Sequence, residues 1–393
     1  MSKIIQSLRF KEIVFNGKSY NKPQIEYKFK QLASKLDIKQ ASSPFIFLIA
    51  RNNLATLISF LALRELNQIC VFIDPLLGQI EYDEYMDLLQ PWCVIDHKSV
   101  MDEDVIESDI EFLEYQTKRT IDEEILEDAC AIMFSSGEDG RMKPVVITEN
   151  NILRNIEGIL TGDINDDSRS TCAILPFFHV FGLVNGLIIP LITGGRVLIV
   201  DISDISKVTR IVEEIKNHKI TNIYTIPLLY YLFTRVKDID YYLSDVLTLY
   251  SGGYKLTREI YESFYRKTQK KIHEGYGLTE STGLSIGHWV LKEPDPENIG
   301  NVVTMVNKLK IVDNTGKEVP VGVTGEILLK GANITKGFYA DKIATTKYIT
   351  DGWLHTGDLG HIDMNDYVYF DGLLKRMYNI GGKNIYPAEI ERF

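Results

Sequence analysis

Cys130-Ala131-Ile132-Met133-Phe134-Ser135-Ser136-Gly137-Glu138-Asp139-Gly140-Arg141-Met142-Lys143-Pro144-Val145-Val146-Ile147 is the stretch on which the reading of this chain turns. Two apolar, strand-like runs, 130–134 and 145–147, flank a turn rich in Ser and Gly that ends in a lysine. Small side chains leave the backbone N–H groups of such a turn open to an anion, and the lysine adds a point charge. The spacing is not GxxxxGK[ST], so this is not a Walker loop, and an ordinary surface turn has the same composition. Glu138 and Asp139 put two carboxylates in its middle. Two unit charges about 4 Å apart interact by about 4 kcal/mol at an effective dielectric of about 20. A carboxylate facing a phosphate would therefore weaken its binding strongly, and one facing solvent would do little.

Working outward, short apolar runs alternate with helical patterns. Phe45–Ala50, Ile69–Ile73, Ala173–Leu175, Val197–Val200, Ile223–Tyr224 and Val246–Tyr250 read as strands. Leu54–Leu66, Gln79–Leu89, Ile205–Asn217, Pro227–Val236 and Leu256–Thr268 read as the helices between them. Strand and helix in alternation predict an α/β fold with mostly parallel sheets covered on both faces. Beyond about residue 300 the pieces are shorter and turn-punctuated: Lys308–Val312, Gly325–Leu329 and Tyr367–Phe370, with turns at 313–316, 351–352 and 363–366. They predict a smaller, antiparallel, barrel-like unit.

Composition narrows the function classes. The 393 residues are 45% hydrophobic and carry a net charge of −11, which argues against a nucleic-acid backbone as partner. Between Met101 and Asp128, twelve Asp or Glu residues stand against Lys118 and Arg119 alone, the pattern of a solvated segment. Cys70, Cys93, Cys130 and Cys172 form no CxxC pair and read as buried free thiols in a reducing, cytoplasmic setting. The first residues lack a signal-peptide apolar core. Ser170–Gly195 has no formally charged side chain, but prolines, Asn185 and glycines interrupt it, so no membrane span is expected.

Two further motifs carry chemistry. Gly275-Tyr276-Gly277-Leu278-Thr279-Glu280 follows a strand-like Lys271-Ile272-His273. Its glycines admit close approach to a planar ligand and its tyrosine offers a stacking face; Thr279 can bond a phosphate and Glu280 can hold a hard cation through oxygen. His355-Thr356-Gly357-Asp358 places a carboxylate at a turn, suited to a sugar diol. A lone histidine in an apolar run, such as His179, is more often a satisfied core residue than a functional one.

In this order and at these separations, the motifs resemble the adenylate-forming superfamily of acyl- and aryl-CoA synthetases, nonribosomal-peptide adenylation domains and luciferases. Ser135–Lys143 resembles its phosphate loop, Tyr276–Glu280 its YGxTE, Thr356–Asp358 its TGD, and Gly372–Glu391 its hinge signature. Pro176-Phe177-Phe178-His179-Val180-Phe181-Gly182 resembles the PxxHxxG of the CoA-ligase branch, and Ser251-Gly252-Gly253 the adenine-side turn. The resemblance runs from about Phe15 to the last residue.

It implies the family's large N-terminal domain: two mostly parallel sheets within 1–300, a β-rich subdomain at 301–371, and a hinge region from 372 to 393 where the mobile C-terminal domain would begin. It implies ATP-dependent activation of a carboxylic acid, fatty or aryl, and acyl transfer to a thiol of CoA or of an acyl or peptidyl carrier protein. ATP, Mg²⁺ and CoA are the implied cofactors. Ser135, Ser136, Gly137, Gly140 and Lys143 would hold the pyrophosphate side. Gly253, Tyr254, Tyr276 and Gly277 would flank adenine. Thr279 would touch the α-phosphate, Glu280 would hold magnesium, and Asp358 would bind ribose. Lys375 would stand at the hinge. His179 would gate an acyl pocket lined by Phe178, Phe181, Val184 and Tyr224.

Three features depart from the family pattern: the loop carboxylates Glu138 and Asp139, Leu373 where the hinge signature carries arginine, and the end of the chain just after Pro387-Ala388-Glu389-Ile390-Glu391. They keep open an alternative, a member that binds a nucleotide, an acyl ligand or a partner protein without turnover.

Overall fold

The computed structural model describes residues 2–36, 41–98, 104, 109–115, 120–136, 142–160, 169–201, 207–288, 292–302, 307–374, 378–380 and 383–385. Among them the strands form two large mixed sheets, one antiparallel sheet and a two-stranded ribbon. Edge to edge, the larger sheet runs Asn301–Val302, Gly283–Gly287, His273–Leu278, Thr248–Ser251, Asn222–Thr225, Ser170–Ala173, Arg196–Ile199, Glu12–Phe15 and Lys18–Tyr20. Its five consecutive inner pairings, from His273–Leu278 to Glu12–Phe15, are parallel. The second sheet runs Ile110–Phe112, Cys93–Ile95, Phe45–Ile49, Ile69–Ile73, Ala129–Ser136 and Met142–Thr148, parallel except at its two outer pairings. From Asn307 onward the pairing is antiparallel throughout the third sheet, where Gly325–Gly331, Ile349–Thr350 and Val368–Leu373 all pair with Trp353–Ile362.

Burial explains the layers. Helix Leu54–Glu65 is buried on every face because it fills the space between the two large sheets. Asn53 caps it, its side chain accepting from Thr56 N at 2.8 Å. Successive residues of the inner strands split between layers with the period of two that a pleated strand imposes. Tyr224 and Tyr250 join the core between the sheets, while Ile223 and Leu249 join the outer core under helices Val208–Asn217, Pro227–Phe233 and Arg258–Thr268. The four cysteines are free and buried, and burial pushes the Cys93 and Cys130 thiols up to about 12. Among the described residues, no helix is long and apolar enough to cross a membrane. The uncharged Ser170–Gly195 stretch is instead a strand, a loop, a π-helix at Phe181–Ile188 and a short helix.

Several expected elements shift. The strand expected at Ala173–Leu175 is Ser170–Ala173, because buried Ser170 and Thr171 sit within the sheet while Asn52 holds Leu175 and Phe177 outside it. The helix expected through Val236 ends at Phe233. Tyr276 and Gly277 do not follow a strand: they lie in strand His273–Leu278. Asp358 is not at a simple turn but inside strand Trp353–Ile362, where the register slips against Gly325–Gly331 and makes a bulge.

Candidate nucleotide and acyl site

The turn at 135–143 closes a hairpin. Ala129–Ser136 pairs antiparallel with Met142–Thr148, Ser135 standing opposite Lys143 and Ser136 opposite Met142. Gly137, Glu138, Asp139 and Gly140 lie outside the described residues, as does Lys375. Side chains directly opposite share one face, so Ser135 and Lys143 emerge together. Ser135 Oγ donates to Glu280 Oε1 at 2.6 Å, and Lys143 Nζ stands 3.6 Å from Asp341 Oδ2. Asp341 also caps helix Lys342–Tyr348.

Glu280 sits on a 3₁₀ turn, Thr279–Ser281, which continues directly from strand His273–Leu278. Desolvation raises its pKa, and the Ser135 hydrogen bond opposes that rise. The strand can run past its neighbour only because Gly277 lacks a side chain: a Cβ there would stand 1.8 Å from Gly283 O. Tyr276 Oη donates to Asp358 Oδ2 at 2.6 Å. Burial, then the Asp358 charge, keeps this phenol well above its ordinary pKa. The bulge carrying Asp358 is built by Glu326, whose Oε1 accepts from Gly357 N at 3.0 Å while Oε2 lies 3.0 Å from His355 Nδ1. Gly357 takes φ +70°, which a bulge of this kind requires. Directly across from Asp358 in the register is Leu373.

The acyl-side candidates gather at the same, carboxyl ends of the inner strands, beside the Gly252–Gly253 turn. Asn52 clasps the start of the Pro176–Gly182 motif, donating to Leu175 O at 2.9 Å and accepting from Phe177 N at 3.2 Å. Gly182 is required because a Cβ would meet Pro176 O at 2.2 Å. That fixes the entry to the π-helix, a rare geometry frequently found at functional sites. Phe181 meets Tyr224 edge-on at 6.4 Å between centroids and packs its ring over Gly252, where a Cβ would lie 3.1 Å from it. Val184 is fully buried in the inter-sheet core, and Phe178 is half-buried against His179 at 4.5 Å. His179 is exposed as a residue, yet desolvation of its ring lowers its pKa, with Asp74 opposing. Gly253, at φ +79°, and Tyr254, 75% exposed, form the open lip of the neighbouring turn.

These contacts join the phosphate hairpin to Glu280 and the YGxTE strand to Asp358. Lys143 is directed to Asp341 rather than to Glu280. An open groove of about 660 Å³ lined by Tyr20, Tyr27 and Lys28 shares no residue with these motifs. One supporting segment escaped the sequence reading. Asn333 Nδ2 donates to Ser281 O at 2.9 Å, Thr282 Oγ1 donates to Asn333 O at 2.7 Å, and Thr335 N donates to Glu280 O at 2.8 Å. Residues 335–339 then run along Met142–Thr148 through the Val145–Phe338 bridge. The same loop thus braces both the Glu280 turn and the hairpin. Its visible signal was the Asn333-Ile334-Thr335-Lys336-Gly337 run just past a strand.

The residues present fit a nucleotide and a hard cation. The Gly252–Gly253 turn exposes backbone at φ +79° beside the exposed Tyr254, and the Glu280 carboxylate is an oxygen donor of the kind Mg²⁺ takes singly alongside phosphates. Among the described residues, no group of three or more His, Cys, Asp or Glu forms an all-protein metal site.

The sequence profile of the family described as AMP-binding enzyme matches residues 11–339. A 4-coumarate–CoA ligase of Humulus lupulus is 32% identical over 277 residues, covering 67% of this chain and 50% of that enzyme. A feruloyl-CoA synthase of Amycolatopsis sp. is 32% identical over 273 residues, covering 68% of this chain and 54% of its own length. The match thus spans about half the length of these relatives. The fold is that of ATP-bound MatB from Rhodopseudomonas palustris, with a TM-score of 0.85, 20% identity and coverage of 100% of this chain and 83% of that one. An anthranilate–CoA ligase in complex with anthranoyl-AMP superposes with a TM-score of 0.84 at 21% identity, covering 99% of this chain and 80% of that one.

Proposed function

The chain belongs to the AMP-binding enzyme family, and from that premise we propose that it activates a carboxylic acid with ATP and passes the acyl group to the thiol of CoA. The observation that carries this reading is the pair of hydrogen bonds Ser135–Glu280 and Tyr276–Asp358, which unite three separated motifs in one site. In the first step a carboxylate oxygen of the acid attacks the α-phosphorus, and the bond to the pyrophosphate oxygen breaks. In the second a thiolate attacks the acyl carbon and AMP departs. Mg²⁺, when bound, neutralises phosphate charge.

The chain's own groups position and balance charge, which is most of what in-line phosphoryl chemistry asks. Ser135 orients the Glu280 carboxylate, and the Glu326-built bulge holds Asp358 for a ribose diol. Tyr276 is anchored by Asp358 and packs against the core of the antiparallel sheet. Lys143, beside Asp341, would turn toward pyrophosphate only by leaving that carboxylate. Phe181 and Tyr224 supply an apolar, aromatic wall, which favours an aryl or fatty acid over a small polar one. One observation favours the alternative of a ligand-binding member with little turnover: Leu373, opposite Asp358, offers no hydrogen bond or charge to a phosphate.

Pyrophosphate exchange into ATP with a panel of aryl and fatty acids tests the proposal, alongside ATP binding by calorimetry. The expected result is exchange with aryl or fatty acids, reduced by roughly a hundredfold or more in Glu280→Gln. ATP binding without exchange would favour the ligand-binding alternative, and absence of both would overturn the nucleotide reading.

A further inference from the structure

Of three adjacent parallel strands, Asn222–Thr225 and Thr248–Ser251 end, and His273–Leu278 begins, beside the turn that runs from Ser251 to Leu256. Their register sets Thr225 opposite Ser251 and Ser251 opposite Glu274. Register partners on parallel strands share a face, so the three form one polar row on the outer-core side of the sheet. All are buried: Thr225 and Ser251 at 0% exposure, Glu274 at 3%. Each carries an oxygen without a hydrogen-bond partner, Thr225 Oγ1, Ser251 Oγ and Glu274 Oε2. The other Glu274 oxygen, Oε1, accepts from Leu256 N at 2.9 Å. Glu274 therefore grips the far end of the turn whose near end, Gly252–Gly253, forms the lip of the site. Burying a carboxylate charge with a single donor is costly, and a carboxylic acid whose carbonyl accepts that donor avoids the cost of the buried charge.

We propose that Glu274 is a positioning residue for the nucleotide-facing turn and that it works as an uncharged acid, Oε1 holding Leu256 N–H while the protonated Oε2 belongs to the Ser251 and Thr225 row. This rests on the nucleotide reading above. It differs from the role of Glu280, which lies six residues further along and faces the site.

The surroundings support an uncharged state. Desolvation raises the Glu274 pKa to about 8, the Leu256 N–H and the Lys255 charge pulling the other way. Lys255 comes from the turn. His288, just past strand Gly283–Gly287, accepts from Glu274 N through Nδ1 at 3.0 Å, and its Nε2 lies 2.9 Å from Asn298 Oδ1, so it is held neutral. His273, on the same strand, turns its ring to the opposite row against Tyr250 and is lowered by burial to about 4. Arg258, Glu259 and Glu262 of the following helix are exposed. A charge appearing beneath the turn slightly above neutral pH is thus that of Glu274. Ionised, the carboxylate needs further donors; Ser251 Oγ and Thr225 Oγ1 make no hydrogen bond to it as the strands stand, so supplying them shifts the strand ends and the turn with them.

The experiment is ATP affinity by calorimetry across about pH 6 to about pH 9.5, for the wild-type chain, Glu274→Gln and Glu274→Ala. Gln keeps the carbonyl for Leu256 N–H and has no titration. The wild-type affinity is expected to fall about tenfold by about pH 9, as an acid ionising near pH 8 dictates, and the Gln variant to hold steady over the same range. The Ala variant should bind more weakly at every pH, with its fold verified by circular dichroism. Matching pH profiles for wild type and Gln would overturn the proposal while leaving the nucleotide site intact. No ATP binding by any of the three, at any pH, would instead overturn the nucleotide reading on which it rests.

Discussion

Two rows of side chains cross the same three strands one residue apart, and they are built on opposite principles. Tyr224, Tyr250 and His273 face the core between the sheets. Tyr224 stacks on Tyr250 at 5.5 Å and 7°, Tyr250 meets His273 at 5.5 Å, and Tyr250 Oη donates to His288 O at 3.0 Å. Thr225, Ser251 and Glu274 face the other way and leave three buried oxygens unpaired. Both rows are buried, so burial does not account for the difference. What separates them is position relative to the Ser251–Leu256 turn: the aromatic row packs the interior, whereas the polar row ends where the chain leaves the sheet. Open α/β sheets bind ligands at the carboxyl ends of their strands, and buried, under-satisfied polar groups persist where function retains them.

The sharpest way to break this contrast is to remove the centre of the aromatic row. Tyr250→Ala should cost about 3–5 kcal/mol, the range for deleting a large buried aromatic, because it strips both ring neighbours and leaves His288 O without its donor. Urea unfolding monitored by circular dichroism reads this as a lower midpoint at unchanged slope. A cost under about 1 kcal/mol would mean that the row is not the packing element claimed.

Changing the polar row should act in the opposite direction. An acid near pKa 8 when folded and near its ordinary 4.5 when unfolded keeps a proton that the unfolded chain has released between those two values. Stability therefore falls as pH rises through that window, by about 1.4 kcal/mol per pH unit, and levels off above the folded pKa. Glu274→Gln escapes this loss. The variant should match the wild type near about pH 4.5 and exceed it by roughly 3 kcal/mol near pH 7, with the gap widening smoothly between. Urea midpoints at several pH values check it. A pH-independent difference would show that the carboxyl is already ionised in the fold. A substitution that stabilises the protein while removing the pH dependence of nucleotide binding is the expected mark of a residue retained for function.

Much of this architecture could be read from the sequence, and the unread parts share a physical cause. Strand Ile69–Ile73 and helix Gln79–Leu89 match their sequence boundaries because an unbroken apolar run and an amphipathic run each declare themselves locally. Ser170 and Thr171 hid a strand because polar side chains buried between layers look like loop residues in isolation. Glycines made the strand seem to end before Gly275 and made Asp358 look like a turn residue, when they mark a tight strand approach and a bulge. The motif residues Ser135, Glu280, Tyr276 and Asp358 were legible as types, but their two hydrogen bonds were not. The Thr225–Ser251–Glu274 row was invisible because register across crossovers, not spacing along the chain, assembles it. Asn333 and Thr335 brace Glu280 from 50 or more residues away in sequence, and no local pattern carries that information.

The smallest expected effect is also the most discriminating about the row itself. Ser251 is fully buried, and its hydroxyl has no partner. Removing an unpaired hydroxyl forfeits no hydrogen bond and relieves a desolvated polar atom, so Ser251→Ala should change stability by no more than about 0.5 kcal/mol. Its cavity is a single oxygen, too small to add much. A destabilisation above about 1 kcal/mol would instead show that Oγ has a partner in solution, and a bridging water between Ser251 and Glu274 is the simplest one. The row would then be a wet site in which ionised Glu274 has a donor. The pH dependence expected of Glu274 would flatten in the same protein, so the two measurements check each other.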